Sequence, residues 1–287
     1  MDFVLKSEYW DQVEARESFK KFIFEIHGLD FNAWESHGYW DETYTPFSFF
    51  KESQIISNVC VYLLDAIIEG ESTKLAQISG VGTHKEWRRQ GLSRQLTEEG
   101  LNWAFSKHEG VFLFADEEAI PYYNKCGFSP IEEYLEYLNI PPRSGKPGCI
   151  PLDTENLEDL ALIYSYALRR SSISNKFSIM NAKLLMFHVL YTLKNKIYEI
   201  PDLDCLIFYS RNKDCLSIYD IVSETIPTLE QVLPYIVKKT DKTVEFHFHT
   251  DKLGIDQIRS KVLMGNNTFV KDGFPFKRPV FPYTSRA

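Results

Sequence analysis

Residues 84–96 read HKEWRRQGLSRQL, and the chemistry they suggest is the holding of a phosphate. Arg88 and Arg89 precede Gln90, Gly91 and a run with helical periodicity. A helix N-terminus offers unpaired backbone N–H groups and a partial positive charge, which suits a diphosphate. Gly91 lets the backbone approach such a group with no Cβ in the way. Two guanidinium groups add charge-assisted hydrogen bonds, and Gln90 lies in the same loop. The stretch has neither the GK[ST] of a Walker loop nor the GxGxxG of a dinucleotide fingerprint. His84, one residue from the loop's start, reads as an exposed imidazole. A second chemical group is AIPYYNKCGF at 119–128, which sets Tyr122 and Tyr123 near Cys126. With no histidine in that motif, Cys126 reads as a small apolar filler and not as a nucleophile. His247, His249 and Glu245 share one face of TVEFHFH at 243–249. They lack a matching third ligand, so they read as the solvated face of a sheet, and no metal is expected.

These side chains need elements to position them. Residues 74–83 read as a strand that delivers the arginine loop at its carboxyl end, where ligands of α/β folds sit. Leu92, Leu96, Trp103 and Ala104 suit one face of a helix over 91–105. VFLFA at 111–115 reads as a buried strand, and 119–126 as a short helix closed by Gly127. Strand, crossover helix, strand is the order of a parallel βαβ unit. Upstream, Phe19, Phe22, Ile23 and Ile26 predict a helix over 13–28, and 55–68 reads as a strand. Three prolines and two glycines in PPRSGKPG, 141–148, interrupt any regular element. The chain therefore divides into 1–140, a linker at 141–149, and 150–287. The second part repeats the order weakly, with helices at 157–168, 181–193 and 229–237 and strands at 205–210, 216–222 and 243–249.

Charge is unevenly shared: the net −8 divides into about −12 over 1–140 and +4 beyond. An acidic first half argues against a nucleic-acid surface and for a cationic small partner. No run approaches the roughly eighteen apolar residues of a membrane span, and the N-terminus has no signal-peptide pattern. Five scattered cysteines without a CxxC pair predict reduced thiols and a cytoplasmic protein.

Taken together, QISGVGTH, RRQGLS, VFLFA and AIPYYNKCGF stand in the order and spacing of the GNAT acetyltransferase superfamily, which residues 1–138 resemble. The resemblance implies an α/β (α+β) fold with a mixed central sheet flanked by helices. It implies that acetyl-CoA is the co-substrate and that Val81, Gly82 and Thr83 offer backbone groups to its pantetheine arm and acetyl carbonyl. Arg88, Arg89, Gln90, Gly91, Leu92 and Ser93 would hold the diphosphate. Tyr123 would protonate the departing thiolate, a reasonable task because an aliphatic thiol has a pKa of roughly 8.5.

Three positions depart from the family pattern. Ser93 replaces a smaller residue, Asp116 stands where many members have asparagine, and Gln77 occupies a position where some carry a glutamate base. Glu35, Asp41 and Glu42, in the aromatic–acidic segment with Trp40, are the remaining candidates for acceptor binding and deprotonation. The pair Trp34 and Trp40 fits either an acceptor wall or helix packing. The second half reads as a tandem GNAT-like domain whose equivalent loop, SETIP at 223–227, lacks glycine and arginine and carries Glu224. It would cover the open side of the first domain and shape the acceptor site or a homodimer. The expected function is direct acetyl transfer to a primary amine of a small cationic molecule. The alternative is a non-catalytic acyl-CoA-binding sensor or interaction protein.

Overall fold

The computed structural model describes residues 3–265 and 267–287. The first half supplies helices α1 (Val13–His27), α2 (Asn32–Ser36), α3 (Leu92–Ala104) and α4 (Ile120–Lys125). Its strands are β1 (Val4–Ser7), β2 (Tyr44–Lys51), β3 (Gln54–Ile68), β4 (Glu71–Thr83), β5 (Gly110–Phe114) and β6 (Phe128–Pro130). Helix α1 buries Phe19, Phe22 and Ile23 and stops where Gly28 turns left-handed and returns its N–H to Phe24 O. The β3–β4 hairpin closes on Glu69 and Gly70, both at positive φ, as a two-residue turn with this strand twist requires. Strand β4 then pairs antiparallel with β3 and parallel with β5, and α3 is the crossover between β4 and β5.

From residue 134 onward the chain forms β7 (Tyr134–Asn139), β8 (Ile150–Pro151), α5 (Leu157–Arg169), β9 (Phe177–Met180) and α6 (Ala182–Tyr191). It continues through β10 (Ile197–Ile200), β11 (Cys205–Asn212), β12 (Cys215–Val222), α7 (Leu229–Ile236), β13 (Thr243–Phe246), β14 (Arg259–Val262) and β15 (Thr268–Lys271). Strands β12 and β13 are parallel with α7 between them, which repeats the β4–α3–β5 unit.

Two sheets result, and the halves exchange strands between them. The first runs β1-β2-β3-β4-β5-β15-β6, with β9 also paired to β3; the second runs β14-β7-β13-β12-β11-β10-β8. Strand β15, from the end of the chain, lies antiparallel between β5 and β6, with Phe269 opposite both Leu113 and Pro130. Strand β7, from before the linker, lies antiparallel between β13 and β14. Each exchange covers strand edges that would otherwise stand open.

The cores follow this topology. Leu92 and Leu96 of α3 pack in a cluster with Val61, Ala76 and Ile78 on one face of the first sheet. On its other face a single buried cluster joins Phe19, Phe31 and Trp34 to Phe177, Leu184 and Phe208 of the second half.

One expectation fails. Strand β13 ends at Phe246, and His247 and His249 are not on a solvated face. His249 is buried, with Nδ1 2.8 Å from Glu136 Oε1 and Nε2 accepting from Val280 N–H. His247 packs against Tyr219 and Tyr283. The C-terminal segment lies over both, a long-range contact to which strand alternation is blind. Among the described residues no group of three or more His, Cys, Asp or Glu is placed to hold a metal. Nor is any described helix long and apolar enough to cross a membrane.

Candidate active site

The site opens where β4 and β5 part. Their parallel pairing ends at Ile78 and Leu113, while β4 continues to Thr83 along β3. A bulge between Asn58 and Cys60 re-aims β4 at this point. Asn58 is fully buried and fixes the bulge: its Nδ2 donates to Gly80 O at 2.8 Å and its Oδ1 accepts from Ser48 Oγ. Beyond Ile78, the β5 side of β4 has no strand on it and forms the wall of a cavity of about 1300 Å³. That exceeds the roughly 300–1,000 Å³ of ordinary single-ligand pockets. The space suits two substrates end to end.

At one end stands the arginine loop. Arg89 and Gly91 both adopt positive φ, 65° and 81°, which turns successive backbone N–H groups toward one side. A Cβ on Gly91 would meet nothing within 4 Å, so the space before α3 is open. The first intrahelical bond is Gln95 N–H to Gly91 O, and no side chain caps the helix. The N–H groups of Leu92, Ser93 and Arg94 are left available to a ligand. Arg88 is braced by its Nε on Thr83 O at 3.0 Å, and Thr83 Oγ1 is 2.7 Å from Ser93 Oγ. Val81, Gly82, Thr83, Arg88, Arg89, Gly91, Leu92 and Ser93 all line the cavity, whereas Gln90 does not. Arg94 and Lys125 line it too and add positive charge that the sequence motifs did not single out.

The equivalent loop in the second half is built differently. Thr228 and Gln231 form a reciprocal capping box on α7, so that helix satisfies its own first N–H groups. Glu224, in the loop before it, lies 3.9 Å from Arg169. No anion cradle forms there.

Midway along the cavity wall is Tyr123, buried between Phe128 and Phe269, the latter carried in by β15. Its hydroxyl makes no hydrogen bond with any described residue, whereas Tyr122 Oη is tied to Thr97 Oγ1 at 2.7 Å. Burial pushes the Tyr123 phenol up, and Asp116 and Cys126 add to the shift. The group is thus a proton donor throughout the neutral range. Burial also pushes up the Cys126 thiol.

The far end is aromatic. Phe31, Trp34, Tyr44 and Tyr62 from the first half meet Leu184 and Phe187 of α6 and the backbone of Ala287. Gln77, fully buried, donates from Nε2 to Ala287 O at 2.7 Å and accepts at Oε1 from Ala287 N–H. Both ends of its amide are occupied in holding the last residues against the wall. Trp34 therefore lies on the wall, while Trp40 packs on Trp10, Phe19 and Phe31. The acidic candidates are placed elsewhere. Glu35 pairs with Arg16 and Lys20, and Glu42 is exposed. Burial opposes ionisation of Asp41, yet hydrogen bonds from Lys183 and Thr43 hold its carboxyl below the ordinary carboxylate range. None of Glu35, Trp40, Asp41 or Glu42 is on the cavity wall.

A parted pair of parallel strands, an open helix N-terminus, a free phenol and an aromatic end thus lie along one cavity. Residues 24–131 match the family model of the acetyltransferase (GNAT) domain. Solved structures extend the likeness to both halves. A conserved protein from Enterococcus faecalis V583 superposes with a TM-score of 0.59 at 14% identity, covering 94% of this chain and 72% of that one. A GCN5-related N-acetyltransferase from Kribbella flavida gives 0.53 at 13%, covering 94% and 70%. A protein from Pyrococcus horikoshii gives 0.51 at 10%, covering 99% and 96%. At such identities the likeness is one of fold. No curated protein sequence matches the chain.

Proposed function

We propose that the protein moves an acetyl group from acetyl-CoA to a primary amine by direct attack within a ternary complex. The observation that carries this reading is the single cavity that joins the arginine cradle to the aromatic compartment, with the free Tyr123 hydroxyl between them. The cradle of Arg88, Arg89 and the α3 N–H groups holds the diphosphate of the donor. Backbone groups of β4 at Val81, Gly82 and Thr83 orient the thioester, and the N–H groups among them that face away from β3 steady charge that builds on its oxygen. The amine nitrogen forms the new C–N bond as the C–S bond breaks, and Tyr123 passes its proton to the sulfur. The amine must first lose a proton. Gln77 cannot take it, and His27 is the imidazole on the cavity wall. Partial desolvation draws His27 below its ordinary 6.5, against the pull of Asp116, so at neutral pH the ring can accept a proton.

The test is release of CoA thiol from acetyl-CoA with a panel of amines. Binding of acetyl-CoA without turnover of any amine would instead identify a sensor, the reading that the absence of a carboxylate at Gln77 favours. Three further results are expected. Arg88→Ala raises the KM for acetyl-CoA about ten-fold, the value of a charge-assisted hydrogen bond. Gly91→Glu, which sets a carboxylate in the cradle at a left-handed position, raises it more. His27→Gln removes the acidic limb of the kcat/KM profile. Wild-type activity falls as pH drops through the His27 pKa, because the protonated ring cannot accept; an unchanged profile would assign deprotonation to solvent.

A further inference from the structure

The bulge in β4 is built around a buried chain of polar side chains. The strand register pairs Asn58 with Gly82 and Cys60 with Ser79, so Gly80 and Val81 stand together opposite Val59. Gly80 has a φ of 55°, and both bulge residues line the cavity. A Cβ on Gly80 would lie 3.1 Å from Cys60 Sγ and from Tyr44 Oη, and 3.4 Å from Asn58 Nδ2. Glycine suits this place for its φ and for its size.

Asn58 reaches the bulge from β3. Its Nδ2 donates to Gly80 O at 2.8 Å and to Cys60 Sγ at 3.2 Å, which uses both amide hydrogens. Its Oδ1 accepts from Ser48 Oγ at 2.7 Å, and Ser48 Oγ is 2.8 Å from Tyr9 Oη. With Ser48 donating to Asn58, the Tyr9 hydroxyl donates to Ser48. Donation then runs one way, from Tyr9 through Ser48 and Asn58 to Gly80. Turning the amide over would set Oδ1 against the Gly80 carbonyl and leave both oxygens without a donor. Tyr9, Ser48 and Asn58 are all buried, where an unpaired polar atom is costly. The chain therefore holds the Gly80 carbonyl in one direction.

That direction fixes a second group. Gly80 O and Val81 N–H belong to one peptide, and a trans peptide points its C=O and N–H opposite ways. No peptide among the described residues is cis. With the carbonyl turned to Asn58, the N–H is turned away from it, at a residue on the cavity wall. We infer that Asn58 is a positioning residue for acetyl transfer: its hold on Gly80 O aims Val81 N–H at the thioester oxygen. This inference rests on the acetyl-transfer reading of the cavity, and it selects one donor among the backbone groups of β4. Asn58 and Ser48 are not on the cavity wall themselves. They act through the Gly80–Val81 peptide.

The experiment pairs steady-state kinetics with infrared spectra of bound acetyl-CoA, isotope-labelled at the acetyl carbonyl. A hydrogen bond to that oxygen lowers its stretching frequency whether or not an amine is turned over. The wild type is expected to lower it, and Asn58→Ala to lose most of that shift. In the same variant kcat is expected to fall on the order of 10²-fold, the worth of one oxyanion donor, with the KM for acetyl-CoA little changed. Ser48→Ala, which frees the amide to turn, is expected to show both effects in smaller degree. Tyr9→Phe is the control. It loosens the same buried chain but leaves the bonds of Asn58 in place, so the melting temperature drops while frequency and kcat hold. An unshifted wild-type frequency, or an Asn58→Ala protein with wild-type frequency and kcat, would overturn the inference and leave acetyl transfer standing. So would losses of kcat that simply follow melting temperature across the three variants. If Asn58→Ala does not fold, Ser48→Ala decides on the same readouts. A wild-type shift that is lost in the variants, with no amine acetylated, would support the role of Asn58 and overturn the acetyl-transfer reading instead.

Discussion

Tyr123→Phe is expected to lower kcat for amine acetylation by about 10²-fold or more, the usual worth of a positioned general acid, with the KM for acetyl-CoA changed less than two-fold. The substitution removes one oxygen that has no hydrogen-bond partner among the described residues, so the ring contacts with Phe128 and Phe269 persist. A loss of rate is then a loss of chemistry and not of fold. Tyr122→Phe is the matched control. It breaks the bond to Thr97 Oγ1 and costs about 1 kcal/mol of stability, with kcat little changed. Because burial keeps the Tyr123 phenol protonated, the wild-type rate shows no alkaline limb from this group in the neutral range. Steady-state kinetics from pH 6 to 9, with thermal melts of both variants, check the pair of outcomes. Equal kcat in wild type and Tyr123→Phe would remove Tyr123 from the mechanism.

Cutting the chain in the linker is expected to abolish folding of both pieces when each is made alone. Fragment 1–140 would lack β15 and leave the facing edges of β5 and β6 unpaired. It would also expose the side of Phe31 and Trp34 that packs against Leu184 and Phe187. Fragment 141–287 would lack β7, which separates β13 from β14. Fully burying one large apolar side chain is worth about 1.5–3 kcal/mol, and net domain stability is about 5–15 kcal/mol. Losing a handful of such contacts, Phe269, Phe281, Phe177 and Leu184 among them, removes a comparable amount. Co-expression of the two fragments is expected to restore a soluble complex that binds acetyl-CoA. Hydrogen exchange and calorimetry report the outcome. An independently folded 1–140 with native affinity would show the exchanged strands to be dispensable.

Motifs whose action is local were readable from the chain. RRQGLS names an open helix N-terminus because its geometry needs only Gly91, the left-handed Arg89 and the first turn of α3. AIPYYNKCGF names a short helix for the same reason, and the contrast with SETIP holds because α7 caps itself through two residues three apart. Helix α1 and the β3–β4 hairpin follow from periodicity and one two-residue turn.

Three features lay outside that reach. The four residues of β15 carry no mark of the sheet they join, since a short apolar strand fits any open edge of suitable register. Which of Trp34 and Trp40 faces the cavity depends on α6, about 150 residues away along the chain. Glu35 and Asp41 look like free acids in sequence and become structural only when Lys20 and Lys183 reach them. Sequence alone therefore determined the uncapped N-terminus of α3 and the fold class, whose causes act within a turn or two of backbone. Tertiary structure alone decided the aromatic end of the cavity, the strand exchange and the clamp of Gln77 on Ala287, because each joins residues that only the folded chain makes neighbours.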